Sequence, residues 1–109
     1  MYRIGQEEID AAARVIRSRK LFKTGEETVR AEETLRTLFR SKHALVMTSG
    51  MGALVSALTA LSIGPGDQVI VPAYTYIATA MAVVSAGAIP VIAEVDDTLT
   101  LDPNDVVRK

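Results

Sequence analysis

Apolar residues change their spacing several times along the chain, and each change predicts a different element. Ile9, Ala12, Ala13 and Ile16 recur at helical spacing, with acidic residues before them and Arg17, Arg19 and Lys20 after, an order that suits a helix dipole. Thr24-Gly25 predicts a break. A second helix follows, with Leu35, Leu38 and Phe39 on one apolar face. Its charges (Glu26, Glu27, Arg30, Glu32, Glu33, Arg36) read as a solvated face with i,i+4 pairing. Residues 44–47 predict a short strand. Met51, Leu54, Val55, Leu58 and Leu61 then predict a helix with that stripe inward, ended by the "GPGD" of residues 64–67.

The remaining third alternates in the same way. Val69, Ile70 and Val71 form an unbroken β-branched run, as in a parallel strand covered on both faces. A helix follows Pro72, with Ile77, Ala80, Met81 and Val84 inward. Ala88 to Ala93 predicts a third strand, which tolerates Pro90 near its start. Asp102, Pro103 and Asp105 form an N-cap, a first helical position and an acidic first turn. The order α-α-β-α-β-α-β-α is that of an α/β fold with right-handed crossovers and a parallel sheet. Three strands leave the edges of such a sheet exposed, so the chain reads as the beginning of something longer. No internal repeat, low-complexity tract or long linker interrupts it.

Composition narrows the class. The 109 residues suit one core, and 49% hydrophobic with 23% charged residues is a globular balance. A net charge of −1, from 12 basic and 13 acidic residues, favours neither nucleic acid nor an acidic membrane. The absence of cysteine excludes disulfides and thiolate chemistry. Acidic residues near the N-terminus speak against an export signal, and the location expected is the cytoplasm. Residues 68–93 lack charge, but Pro72, Gly87 and Pro90 interrupt them and Asp67 and Glu94 flank them, which argues against a membrane span.

The candidate chemistry lies at the junction "TSGMGAL" (48–54). A helix N-terminus after a parallel strand presents free N–H groups, and Gly50 and Gly52 let an anion approach the backbone. The same residues also suit a simple turn, with Ser49 as helix cap and the glycines permitting the bend. Gly50-Met51-Gly52 lacks the third glycine of a dinucleotide fingerprint, and no Gly-Lys-Ser/Thr follows as in a Walker loop. The next loop, "VPAYTYIATA" (71–80), carries Tyr74 and Tyr76 in a chain with only three tyrosines and two phenylalanines. Either ring packs as core or lies against a planar heteroaromatic. A phosphate cradle beside an aromatic shelf suits a phosphorylated aromatic cofactor. His43 carries no triad or metal spacing and reads as structural, and Asp96-Asp97 read as a strand exit. No metal-ligating set and no catalytic residue is assigned.

These stretches resemble the DegT/StrS family of pyridoxal-phosphate-dependent sugar aminotransferases. The resemblance runs through "IGQEEIDAAARVIRS", "KHALVMTSGMGALVSAL", "IGPGDQVIVPAYTYIATAMAVVSAGAIPVIAEVD" and "LTLDPNDV", essentially the whole chain. It implies the large domain of the aspartate-aminotransferase-like (type I) fold, with residues 1–43 as an amino-terminal helical segment and 44–109 as its first part. It implies that Gly50, Met51 and Gly52 hold the phosphate of pyridoxal 5'-phosphate and that Tyr76 stacks on its ring. Met51 stands where the family commonly has threonine, which takes the side-chain hydroxyl out of that contact and leaves the backbone N–H groups. The activity implied is transfer of an amino group from glutamate or glutamine to a nucleotide-linked keto sugar, by a homodimer when full length. The Schiff-base lysine is not in a matching context at Lys20, Lys23, Lys42 or Lys109. The chain alone is therefore expected to be inactive. A noncatalytic or interaction chain, a sugar dehydratase of the same fold and an unrelated nucleotide-binding domain stand as alternatives.

Overall fold

The computed structural model describes residues 4–21 and 25–109, so Thr24 of the expected break lies outside the described residues. Two compact units result, Met1–Val46 and Met47–Lys109. The first holds helices α1 (Gln6–Ser18) and α2 (Glu26–Phe39). The second holds α3 (Gly50–Ala60), β1 (Gln68–Pro72), α4 (Ala78–Ser85), β2 (Ile89–Ala93) and α5 (Pro103–Arg108).

In the first unit, Glu8 accepts from the Gly5 N–H at 2.7 Å and starts α1. Arg14 reaches Glu27 across the helix pair at 3.3 Å. On α2 the expected i,i+4 pairing is replaced by i,i+3 pairs, Arg30–Glu27 and Arg36–Glu33. Exposed pairs of this kind contribute about 0–1 kcal/mol. The apolar faces predicted for both helices exist but are uncovered: Ile9, Ile16, Leu38 and Phe39 are all exposed.

In the second unit β1 and β2 pair in parallel, Gln68 opposite Ile89 through Pro72 opposite Ala93. The Ile89 N–H bonds to Asp67. Alternation along the strand then turns the N–H-less position of Pro90 away from β1, where its missing donor costs the ladder nothing. Helix α4 lies over both strands, and Val71, Val83 and Ala88 make the core, with Leu58, Ile63, Val69 and Ala80 packed against it.

Three expectations need correction. Residues 44–47 form no strand among the described residues. A strand needs a ladder partner, and β1 is paired only to β2. On α4 the buried residues are Ala82 and Val83, whereas Ile77, Met81 and Val84 of the predicted stripe are exposed. On α3 only Val55 and Leu58 of the stripe are half-buried, and Met51, Leu54 and Leu61 are exposed. Both helices are apolar on more than one face, so spacing alone could not say which face the sheet would take.

The end of α3 also differs from the expectation. Helix α3 stops at Ala60, ahead of "GPGD", and the left-handed residue is Ser62 (φ 61°). The Ile63 N–H returns to the Leu58 carbonyl and the Ser62 N–H to that of Thr59, the bond pair of a Schellman cap. Because Ser carries a Cβ into this conformation, Ser62→Gly is expected to stabilise the unit by about 1 kcal/mol in denaturant unfolding.

The predicted Asp102 cap is present, its carboxylate accepting from the Asn104 N–H at 2.9 Å. Asp105 does more than sit in an acidic first turn. It is 5% exposed, and its Oδ2 accepts from the Glu94 N–H at 2.7 Å. The Glu94 carbonyl in turn accepts from the Asp102 N–H. Helix α5 thus occupies both backbone groups of the residue that leaves β2. The Glu94 N–H, opposed by burial and supported by Lys109 and Arg108, holds the Asp105 carboxyl below the usual carboxylate range. A depressed folded pKa contributes stability that is complete above about pH 4 and is lost as pH falls through the lower folded value. Following the Glu94 amide resonance from about pH 6 to about pH 2 should show α5 releasing in that window. In Asp105→Asn the pH step should vanish.

Much apolar surface remains uncovered. Leu54 and Leu61 at α3, Met81 and Val84 on α4 and Ile89 and Ile92 on β2 are all exposed. Helix α3 has no charged residue and no buried one. A helix apolar all round is stable only when covered. Among the described residues no helix is long and apolar enough to cross a membrane.

Candidate functional site

The chain enters α3 through an extended Ser49 (φ −156°, ψ 157°), whose Oγ accepts from the Gly52 N–H at 3.0 Å. The Ala53 N–H bonds the Ser49 carbonyl. That leaves the N–H groups of Gly50 and Met51 without a protein partner among the described residues. Two unpartnered donors at a helix N-terminus are an anion-binding arrangement, with the dipole adding about 0.3–1 kcal/mol.

The two glycines are not equivalent. A Cβ built on Gly50 meets nothing within 4 Å, whereas one on Gly52 lies 3.1 Å from Ser49 Oγ. Gly50 therefore keeps an open approach to the backbone, and Gly52 makes room for the cap. The helix-cap reading of the junction is thus borne by Ser49 and Gly52. Met51 is exposed at 36%, with its side chain beside this turn and no hydroxyl to offer.

Tyr76 lies on the loop between β1 and α4 and is 80% exposed; Tyr74, on the same loop, is 68% exposed. Neither ring packs into the core of this unit. The loop is braced by Thr75 Oγ1 and Thr79 Oγ1, 3.0 Å apart, and by the Thr79 N–H on the Tyr76 carbonyl. The structure gathers Gly50, Met51 and Gly52 in one turn and sets Tyr76 apart on its own loop.

Other candidates fall away. Asp96 is engaged by the Thr98 hydroxyl and N–H, which hold its carboxyl below the usual range. A carboxylate so occupied shapes a turn. His43 is exposed, its carbonyl accepting from Ser41 Oγ. No three His, Cys, Asp or Glu side chains among the described residues could hold a metal. A cavity of 370 Å³ in the amino-terminal unit is lined by Arg14, Lys20, Glu27 and Arg30, but its cations are already paired with Glu26 and Glu27.

A two-stranded parallel sheet flanked by helices, with a capped helix start and an aromatic loop at a strand end, marks an α/β protein. Comparison with known proteins makes the class specific: the chain belongs to the DegT/DnrJ/EryC1/StrS aminotransferase family, whose pattern matches residues 2–109. It is 47% identical over 98 residues to a dTDP-3-amino-3,4,6-trideoxy-alpha-D-glucose transaminase of Streptomyces venezuelae, covering 88% of this chain and 26% of that protein. It is 58% identical over 55 residues to a UDP-N-acetyl-3-dehydro-alpha-D-glucosamine 3-aminotransferase of Acidithiobacillus ferrooxidans, covering 50% of this chain and 15% of that one. A sugar aminotransferase of Streptococcus pneumoniae, solved in its PLP form, superposes with a TM-score of 0.90 at 32% identity over 97% of this chain and 27% of that one. The chain thus spans about a quarter or less of the length of these relatives. The fold is that of the type I pyridoxal-phosphate aminotransferases.

Glu32 is a residue that sequence reasoning missed. The charge pattern reads it as part of a solvated face, yet its Oε1 accepts from the Val46 N–H at 3.0 Å. Nothing in the charge pattern of α2 separates it from Glu33, since its partner is a backbone group 14 residues away.

Proposed function

We propose that this chain forms the cofactor-phosphate part of a pyridoxal-phosphate-dependent aminotransferase that moves an amino group from glutamate or glutamine to a nucleotide-linked keto sugar. The observation that carries the reading is the first turn of α3, where Gly50 and Met51 keep unpartnered N–H groups over an open Gly50. These residues fit a phosphate dianion: two donors, the Ser49 hydroxyl at the same turn and no side chain in the approach. The relatives act on sugars carried by dTDP and by UDP, which supports a nucleotide sugar as substrate class.

The residues divide the work. Gly50 and Met51 bind the phosphate through the backbone, Ser49 orders the turn, and Tyr76 offers a face to the ring. Orientation of this kind is the protein's share of catalysis, while pyridoxal phosphate, when bound, supplies the electron sink. Lys20 is paired with Glu26 and Lys109 with Asp105. No lysine of this chain stands in a context resembling the family's Schiff-base motif, so that lysine is sought in the part of the family's fold that this chain does not span.

The test is a chimera in which residues 2–109 replace the matching segment of the S. pneumoniae aminotransferase. It should take up pyridoxal phosphate and aminate a nucleotide keto sugar. A folded chimera without cofactor would refute the reading. A noncatalytic chain that binds another polypeptide is the second reading, and the exposed Met51, Leu54 and Leu61 favour it. Co-purification of a partner with a chain that confers no cofactor binding would support that reading instead.

A further inference from the structure

The loop between β1 and α4 is pinned at both ends and nearly bare between them. At its start the Ala73 N–H donates to the Ala93 carbonyl at 2.8 Å. Among the described residues Tyr74, Thr75 and Tyr76 then donate no backbone–backbone hydrogen bond. At its end stands Thr79, half-buried in the first turn of α4, which meets the loop twice. Its N–H donates to the Tyr76 carbonyl at 2.9 Å, and its Oγ1 lies 3.0 Å from Thr75 Oγ1. The second contact sets Thr79 apart from the other helical threonines that bond four residues back. Thr34, Thr37 and Thr59 each donate the hydroxyl to a carbonyl of their own helix, the usual habit of a helical threonine. Thr79 spends its hydroxyl on a side chain that precedes α4.

We infer that Thr79 is a positioning residue for the Tyr76 ring. Its two contacts clasp the chain on both sides of the Tyr76 Cα, at the Thr75 side chain before it and the Tyr76 carbonyl after it. The ring is 80% exposed and packs into no core, so the backbone that carries it sets its direction. Stacking needs a ring face at a defined offset and distance. A loop ordered beforehand also spares a ligand the cost of ordering it. The inference rests on the reading that Tyr76 faces the cofactor ring, but the clasp is separable from it.

Backbone NMR relaxation of the full chain tests the clasp. In the parent, Thr75 and Tyr76 should have order parameters near the rigid value of about 0.85; in Thr79→Val, which keeps the shape and removes the hydroxyl, they should fall below about 0.6. Thr79→Ser keeps the hydroxyl and should return both to within about 0.1 of the parent. The amides of Ala82 and Val83, buried further along α4, should be unchanged in each. Should Thr79→Val unfold the unit, Thr75→Val decides, since it removes the other hydroxyl from outside the helix; it should loosen the same two amides. Rigid amides in the Val variant, or a Ser variant as mobile as the Val one, would overturn the proposal. Pyridoxal phosphate titrated into the full chain separates the two claims, with affinity read at the Gly50 and Met51 amides and stacking at the Tyr76 ring protons. Thr79→Val should weaken binding about fivefold, and that loss should vanish in a Tyr76→Ala background, because Thr79 acts through the ring. An equal loss in both backgrounds would overturn the proposal. Ring protons that never shift would count against the stacking reading, whereas order lost in Thr79→Val and regained in Thr79→Ser would still establish the clasp.

Discussion

Gly87→Val should destabilise the second unit by about 3 kcal/mol, the largest loss expected from any single substitution considered. Gly87 sits at φ 85°, where a β-branched residue is strained by about 1–2 kcal/mol. It is also crowded: a Cβ there would lie 3.2 Å from both Cγ and Cδ of Pro65, and overpacking costs typically about 1–3 kcal/mol. The site closes α4 with a second Schellman cap, the Gly87 N–H on Val84 and the Ala88 N–H on Val83. Ala88 then packs with Val83 and Val71 in the core, so the turn and the core are lost together. Urea unfolding followed by helical circular dichroism measures this. A change below about 1 kcal/mol would mean that Pro65 yields and the turn re-forms without the glycine.

Gly52→Val should lose more than a simple phosphate-cradle reading predicts. The first new atom lies 3.1 Å from Ser49 Oγ, and a branched side chain cannot share that space with the cap. Loss of an N-cap costs about 1 kcal/mol. Cofactor binding should fall as well, since the Ser49-ordered turn carries both free donors. The effect is therefore expected in two readouts at once, thermal midpoint and pyridoxal-phosphate affinity of the chimera. A drop in stability with full affinity per folded molecule would assign Gly52 to the turn alone.

How much of this was legible in the residues depends on where the determinants lie. The elements from Gln68 to Ala93, the Asp102 cap and the Ser49 cap follow from local patterns, and the structure has them. The strand expected at 44–47 does not, because a strand is a property of a pair and no pairing neighbour is present among the described residues. The end of α3 lies ahead of Gly64 because its left-handed cap falls on Ser62 instead of glycine. The inward faces of α3 and α4 were misjudged because both helices are apolar all round. Gly50 and Gly52 looked interchangeable in the sequence, and only the position of Ser49 Oγ tells them apart. Glu32 and Asp105 act through backbone partners distant in sequence, which charge patterning does not register.

The central claim is that the start of α3 holds a cofactor phosphate, and Gly50→Ala tests it with least ambiguity. A methyl group there meets no protein atom within 4 Å, so folding should be untouched. It would nevertheless stand between a phosphate and the Gly50 and Met51 donors, at the expense of a hydrogen bond to a charged group. Titrating pyridoxal phosphate into the chimera with and without Gly50→Ala should give equal thermal midpoints for the unliganded proteins and an affinity about tenfold weaker for the variant. Equal affinities at equal stability would contradict the account, because nothing would then be approaching the backbone at Gly50.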